Sequence, residues 1–318
     1  MKEDIKEPSK ETKKLSYKDA SGEIQYTLRS DIVFHYTMQK SDKALLGLVC
    51  ALRGIKPTDV KSILVENPID LNNIGKESVM DLKLTLNSGV IMNIELQMYT
   101  DKFWIPRSIL YMCRAFDCIK EGDDYSKLKK TVHYCITDQD LFNAEPEFYA
   151  KYALLNKRTY EQYSDMIGIN VLQLQYLELA TQEDVDNDLV YWAKLFKANT
   201  WEEIQTLVQE REDLAEVADM ILELNTDNQA KEILEGQRRY REQMASQYAA
   251  GCIDTEEKYR VKLEEKDMVI EEKDKVIEEK DKRLEAKDEV IEEQGKELDA
   301  ANQTIADLRK QLEELKKK

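Results

Sequence analysis

The sequence predicts an α/β domain, a helical extension and a long C-terminal helix, and three patterns carry that prediction. Residues Val79 to Met98 alternate apolar and polar positions on either side of Asn87-Ser88-Gly89, as two short strands joined in a hairpin would. Apolar residues recur at helical spacing within Asp31 to Arg53 and again within Trp104 to Ile119. From Leu263 to Leu312 one aliphatic residue returns every seven positions, the period of a coiled coil.

In chain order, residues 1–23 are polar and lysine-rich without a sustained period, and read as a flexible N-terminal arm. Ordered structure is expected from Ile24. Asp31 to Arg53 reads as helix, broken near Lys40-Ser41-Asp42 with Ser41 capping a second segment, and Gly54 and Pro57 stop it. His35 reads as a packed or surface histidine. Lys61 to Glu66 forms a first strand, and Asn67-Pro68 turns the chain because the residue before proline is pushed out of the helical region. The hairpin follows. Pro106 then fits the first turn of a helix that should lie across the sheet, with Gly122 ending it. Thr131 to Thr137 is a further strand on which His133 faces a strand neighbour. Tyr149 to Leu155 and Tyr163 to Leu177 make a second hairpin that extends the sheet, with Gly168 marking a bulge. Its tyrosines pack across strands or stack on bases. Beyond Glu183 the pattern is helical, with a capping box of Thr200 and Glu203. The domains expected are therefore the arm, an α/β domain at 24–180, a helical subdomain at 181–253 and a coiled coil at 254–318.

The hairpin carries the chemistry. With Asn87 to Gly89 as its loop, the register brings Asp81 opposite Glu95 and Lys83 opposite Asn93. A slip of one residue would set Asp81 beside Ile94. Two carboxylates opposed across strands repel unless something positive lies between them. Either this face is simply solvated, or it holds a hard divalent cation such as magnesium, which keeps several waters and takes one or two protein carboxylates. The second arrangement suits phosphodiester hydrolysis, with Lys83 or Gln97 orienting water or meeting transition-state charge.

The series Ser30-Asp31-Ile32-Val33-Phe34, Asn67-Pro68, Asp81-Leu82-Lys83, Ile94-Glu95-Leu96-Gln97 and Arg107 to Tyr111 resembles the recombination-promoting nuclease and transposase branch of the PD-(D/E)XK nucleases. That resemblance implies a restriction-endonuclease-like core, a four-stranded mixed sheet flanked by helices, that cleaves DNA with Mg2+, or with Mn2+ in its place. It implies Asp81 and Glu95 as metal ligands and Gln97 at the position of the usual lysine. Glutamine is no cation, so either Lys83 substitutes for that lysine or Gln97 positions water. The resemblance makes Asp31 an accessory ligand, where the residue alone reads equally as a first-turn acid favoured by the helix dipole. Arg107 and Tyr111, one turn apart, match an R-x3-Y feature. Arg107 is then a phosphate contact or an arginine paired to an acid.

The net charge of −17 runs against tight, non-specific DNA binding, and about a third of it lies beyond Ile253. A local basic patch drawn from Arg53, Lys56, Lys61, Lys102, Arg107 and Arg114 stays open. No apolar run is long enough for a membrane span or a signal peptide, so a cytoplasmic protein is expected. Five cysteines, odd in number and without metal-site spacing, suit a reducing compartment, and Cys113 and Cys118 read as small buried thiols.

In the tail, setting the stripe of Leu263, Ile270, Ile277 and their successors at heptad position a places Lys266, Lys273, Lys280 and Lys287 at d. Lysine is a poor core residue. A parallel homodimer and a lone charged helix are the two readings. For the whole chain, the expectations are a metal-dependent DNA endonuclease or, alternatively, a catalytically weak or inactive nuclease-fold scaffold.

Overall fold

The computed structural model describes residues 16–69, 81–99, 101, 103–140 and 145–316. Residues 1–15 of the expected arm, Val79 and Met80 of the hairpin stretch, and Lys102 of the basic set lie outside the described residues.

A six-stranded sheet in the order β1-β2-β3-β4-β6-β5 organises the described chain. Strands β1 (Ile63–Val65), β2 (Leu82–Leu86) and β3 (Ile91–Gln97) pair antiparallel in succession, while β4 (Thr131–Thr137) lies parallel to β3 and to β6 (Gln162–Gln173). Strand β5 (Tyr149–Leu155) closes the edge antiparallel to β6. The sheet is mixed, as the resemblance implies, and gains breadth from this second hairpin. Between the pairs Tyr152↔Ile169 and Leu154↔Ser164 the two strands lose register, and Gly168 lies in the irregular stretch of β6. Tyr149 is buried there, donating to the Leu52 carbonyl at 2.5 Å, whereas Tyr163 is 81% exposed.

Helices cover both sheet faces. On one, α1 (Asp31–Lys40) and α2 (Asp42–Arg53) are split where expected: the Ser41 hydroxyl accepts from the Ala44 amide at 3.2 Å. Gly54 ends α2 at φ +62°, and a Cβ there would also press on the Asn187 amide at 3.2 Å. After the short α4 (Gln182–Asp186), helices α5 (Leu189–Lys197), α6 (Trp201–Glu210) and α7 (Ala215–Thr226) bury their apolar faces in the same core. Phe34 of α1 meets Phe196 of α5 at 5.8 Å between ring centres. Thr200 and Glu203 form the expected capping box. Helices α5 to α7 thus share one hydrophobic core with the sheet.

That core also takes in part of the expected arm. Tyr17 is buried, Gln205 donates to the carbonyls of Tyr17 and Ala20, each at 2.8 Å, and Glu23 bridges to Thr200. Packing therefore begins ahead of Ile24.

The other face carries α3 (Trp104–Phe116) and a small cluster of Trp104, Cys135, Ala150 and Val171. Trp104, Ser108, Met112 and Ala115 point inward, three or four residues apart. Cys113 and Cys118 are both exposed, which corrects their reading as buried thiols: Cys113 lies off the inward stripe and Cys118 follows the helix end.

The remaining element, α8, runs from Asn228 to Lys316. By contacts the chain divides into residues 1–239 and 240–318. Within the second unit the heptad stripe is solvent-exposed, Leu263 at 59%, for example. No helix of the described chain is long and apolar enough to cross a membrane.

Candidate metal and phosphodiester site

The β2/β3 hairpin has the register that the alternation predicts. Lys83 pairs with Asn93 and Leu82 with Ile94, so the next step outward sets Asp81 across from Glu95. Leu86 and Val90 close the three-residue loop through a 2.9 Å backbone bond, and Gly89 supplies the positive φ of +80°. The Asn67 side chain holds the other end: it donates to the Asp81 carbonyl at 2.5 Å and accepts from the Lys83 amide at 2.9 Å.

Parallel pairing of β3 with β4 builds the floor. It places Asn93 beside His133, Glu95 beside Cys135 and Gln97 beside Thr137, and all but Cys135 are buried polar residues. Asn93 Nδ2 lies 3.4 Å from Asp81 Oδ2 and 3.1 Å from His133 Nδ1. As an amide donor it makes Nδ1 the acceptor and leaves the imidazole proton on Nε2. That nitrogen is 3.2 Å from Glu95 Oε2, although neither atom is aligned for a hydrogen bond.

Arg107 reaches down from the first turns of α3. Its Nη2 donates to Glu95 Oε1 at 2.5 Å and to Gln97 Oε1, and its Nη1 donates to Asp101 Oδ2 at 2.5 Å. Its guanidinium carbon also sits 5.9 Å from the centre of the Tyr111 ring. Of the two readings left open for Arg107, an acid partner is the one present in this structure. Burial works against its charge, but Glu95 and Asp101 outweigh burial and raise its pKa.

Asp81 bears the electrostatic cost. Burial, then the charge of Glu95, pushes its carboxyl up to about 6, against the opposing pull of Asn93, His133 and Arg107. Burial and the charge of Glu95 also lift the Cys135 thiol well above its ordinary range, keeping it neutral.

The donor set suits a hard divalent cation. Two carboxylates face one another, and Glu95 Oε2 is buried without a hydrogen-bond partner. Among the described residues no three His, Cys, Asp or Glu side chains are grouped to hold a metal, so Asp31 does not join Asp81 and Glu95 in such a group. The fit is that of a two-carboxylate site completed by water and phosphate oxygens.

Two other sequence candidates lie apart. The Lys83 ammonium is paired with Glu66 at 2.9 Å, on the β1 side of the sheet. Arg53 meets Tyr134, a residue on the opposite face of β4 from His133, so Arg53 and Arg107 do not share a patch. His133 and Asp101 belong to the site and were not singled out by sequence. For His133 the available signal was its alternation with Cys135 and Thr137, which becomes informative only once β4 is known to lie beside β3.

Comparison with curated proteins and with solved structures finds no match. A family model described as PD-(D/E)XK nuclease family transposase matches residues 28–251, a span holding every strand among the described residues, the Asp81/Glu95 hairpin and α3. With that match over well more than half of its length, the chain belongs to the PD-(D/E)XK nuclease family transposase family.

Proposed function

We propose that the protein is a Mg2+-dependent DNA endonuclease that hydrolyses phosphodiester bonds, with Asp81 and Glu95 as metal ligands. The carrying observation is the opposed pair itself, with Glu95 Oε2 buried and lacking a hydrogen bond. Family membership supports nuclease chemistry on DNA with a divalent ion. When bound, such an ion polarises the scissile phosphate and lowers the pKa of an attacking water.

The residues of the chain divide the remaining work. Asn67 and Asn93 fix Asp81 from its backbone and its carboxylate. Gln97 is at the position of the usual lysine, and the contact that Arg107 makes with it supports giving Arg107 the positive charge that meets the developing phosphorane. Gln97 then acts by holding the guanidinium. Lys83, engaged by Glu66, has a secondary part in orienting water or backbone phosphate. Tyr111 backs the Arg107 guanidinium.

The tail completes the reading as a homodimerisation element, supported by the exposed stripe on α8. Five cysteines, all free, support a reducing, cytoplasmic setting. A second reading, a weak or inactive nuclease fold acting as a scaffold, draws support from the Arg107 ion pair, which already neutralises Glu95.

Nicking of supercoiled DNA in low salt separates the two, with Mg2+, Mn2+ or EDTA and with Asp81→Ala and Glu95→Ala beside wild type. Metal-dependent cleavage lost in both variants is expected. Cleavage surviving both substitutions overturns the site, and no cleavage by any form, with no Mg2+ bound in calorimetry, favours the scaffold.

A further inference from the structure

We infer that the tail pairs with a second copy of this chain in antiparallel orientation, Ile270 of one copy lying against Leu308 of the other. The inference rests on the dimer reading above and adds orientation and register. One observation carries it: which residues share a layer of the seam.

The apolar stripe of α8 is exposed, Ile270 and Leu312 each at 55%, so it is an unpartnered face rather than a packed one. In a parallel, in-register pair each d residue meets its own copy. Lys266, Lys273, Lys280 and Lys287 would then stack as successive like-charged layers inside the seam. Antiparallel helices instead set each a residue against a d residue. With Ile270 opposite Leu308, Lys266 meets Leu312, Lys273 meets Ile305 and Lys280 meets Leu298. Every lysine then lays its methylene stem along an aliphatic partner and carries its ammonium out to water.

Flanking charges of opposite sign meet at two kinds of pair in that same alignment. Antiparallel pairs bring position g against g and e against e. Arg283 then faces Glu297 of the second copy, and Asp267 faces Arg309 of the second copy, each pair occurring twice by symmetry. Val290 meets its own copy at the centre on one side of the seam, and Asp288 meets its own copy on the other. Arg283 already holds Glu279 within its helix at 2.6 Å, and its five donors leave room for a second acid. The parallel alignment also offers two flanking pairs of opposite charge, Lys262 with Asp267 and Arg283 with Asp288 of the second copy, so the orientation rests on the seam layers.

The test uses two full-length variants, Ile270→Cys and Leu308→Cys, each made alone, then mixed under subunit exchange and oxidised. Disulfide-linked tail peptides are identified by mass spectrometry, which separates them from links through the native cysteines. The expected result is a 270 to 308 link in the mixture, and no self-link in either variant alone. Links of 270 to 270 or of 308 to 308 overturn the antiparallel orientation, and absence of any tail link overturns this register. Sedimentation equilibrium of the wild-type chain tests the dimer reading separately. A monomer there overturns the dimer itself, whereas a dimer with self-links overturns only the orientation.

Discussion

Asn67 donates its side-chain amide to the backbone carbonyl of Asp81 at 2.5 Å. The same side chain accepts from the amide of Lys83, so it runs beside β2 as a further strand would and fixes the approach to the ligand. Asn67→Ala leaves both backbone groups to find other partners, at about 1–2 kcal/mol of stability. Asn67→Asp is expected to be worse for metal binding, since it removes the donor and adds a carboxylate near Asp81. Isothermal titration with Mg2+ and denaturation curves check this. Unchanged Mg2+ affinity in both variants removes Asn67 from the site.

Arg107→Ala is expected to lower the cleavage rate by roughly 10²- to 10³-fold, the scale for losing one aligned electrostatic donor. Arg107→Lys should fall between, because an ammonium cannot serve Glu95, Gln97 and Asp101 together as the planar fork does. Lys83→Ala breaks a partly exposed ion pair and should change the rate only about two- to three-fold. Single-turnover rates at saturating Mg2+ decide the matter. A larger loss in Lys83→Ala than in Arg107→Ala would reverse the assignment.

Asp81 makes metal-free stability depend on pH. Its folded pKa, about 6, lies above its ordinary value, so the folded state holds the proton more tightly than the unfolded chain. Its contribution is therefore favourable at low pH and is lost as pH rises from about 4 to about 6. Above that window the buried charge costs about 3 kcal/mol on this scale. In EDTA, Asp81→Asn should be more stable than wild type at pH 8 and close to it at pH 4. A stability difference that does not vary with pH would falsify this account of Asp81.

In the tail, Arg283→Glu should weaken self-association by placing like charges across the seam twice. Adding Glu297→Arg should restore it. For exposed pairs the effect is roughly three- to thirty-fold in dimer Kd, read by sedimentation in low salt. Failure of the second change to rescue the first would break the proposed pairing.

How much of this was legible depended on how far apart in sequence the contacting residues lie. The register of Asp81 and Glu95 could be read because a one-residue slip turns every leucine of the hairpin outward. The Ser41 cap and the Thr200/Glu203 box are equally local, and the structure has both. His133 does face a strand neighbour, as expected, but that the neighbour is the acid-bearing β3 depends on β3 lying parallel to β4, a pairing that joins residues on either side of α3. The acid partners of Arg107 were hidden for a related reason. Helical spacing tells which way a side chain points, whereas the strand beneath it comes from topology. Tyr17 looked like part of a polar arm because a single buried aromatic leaves no period to detect.

The hairpin also sets an order of assembly. Asp81 and Glu95 are joined by a loop of three residues, so the acid pair can form on the microsecond scale of hairpin closure. His133 must wait for the crossover through α3, because contacts distant in sequence cost more loop entropy before they return any stability. Fraying under mild denaturant is then expected to strip the floor of the site before its acids. Amide exchange slower across Lys83 and Asn93 than across His133 would show it, and a chain caught partly folded would still present the acid pair to a cation.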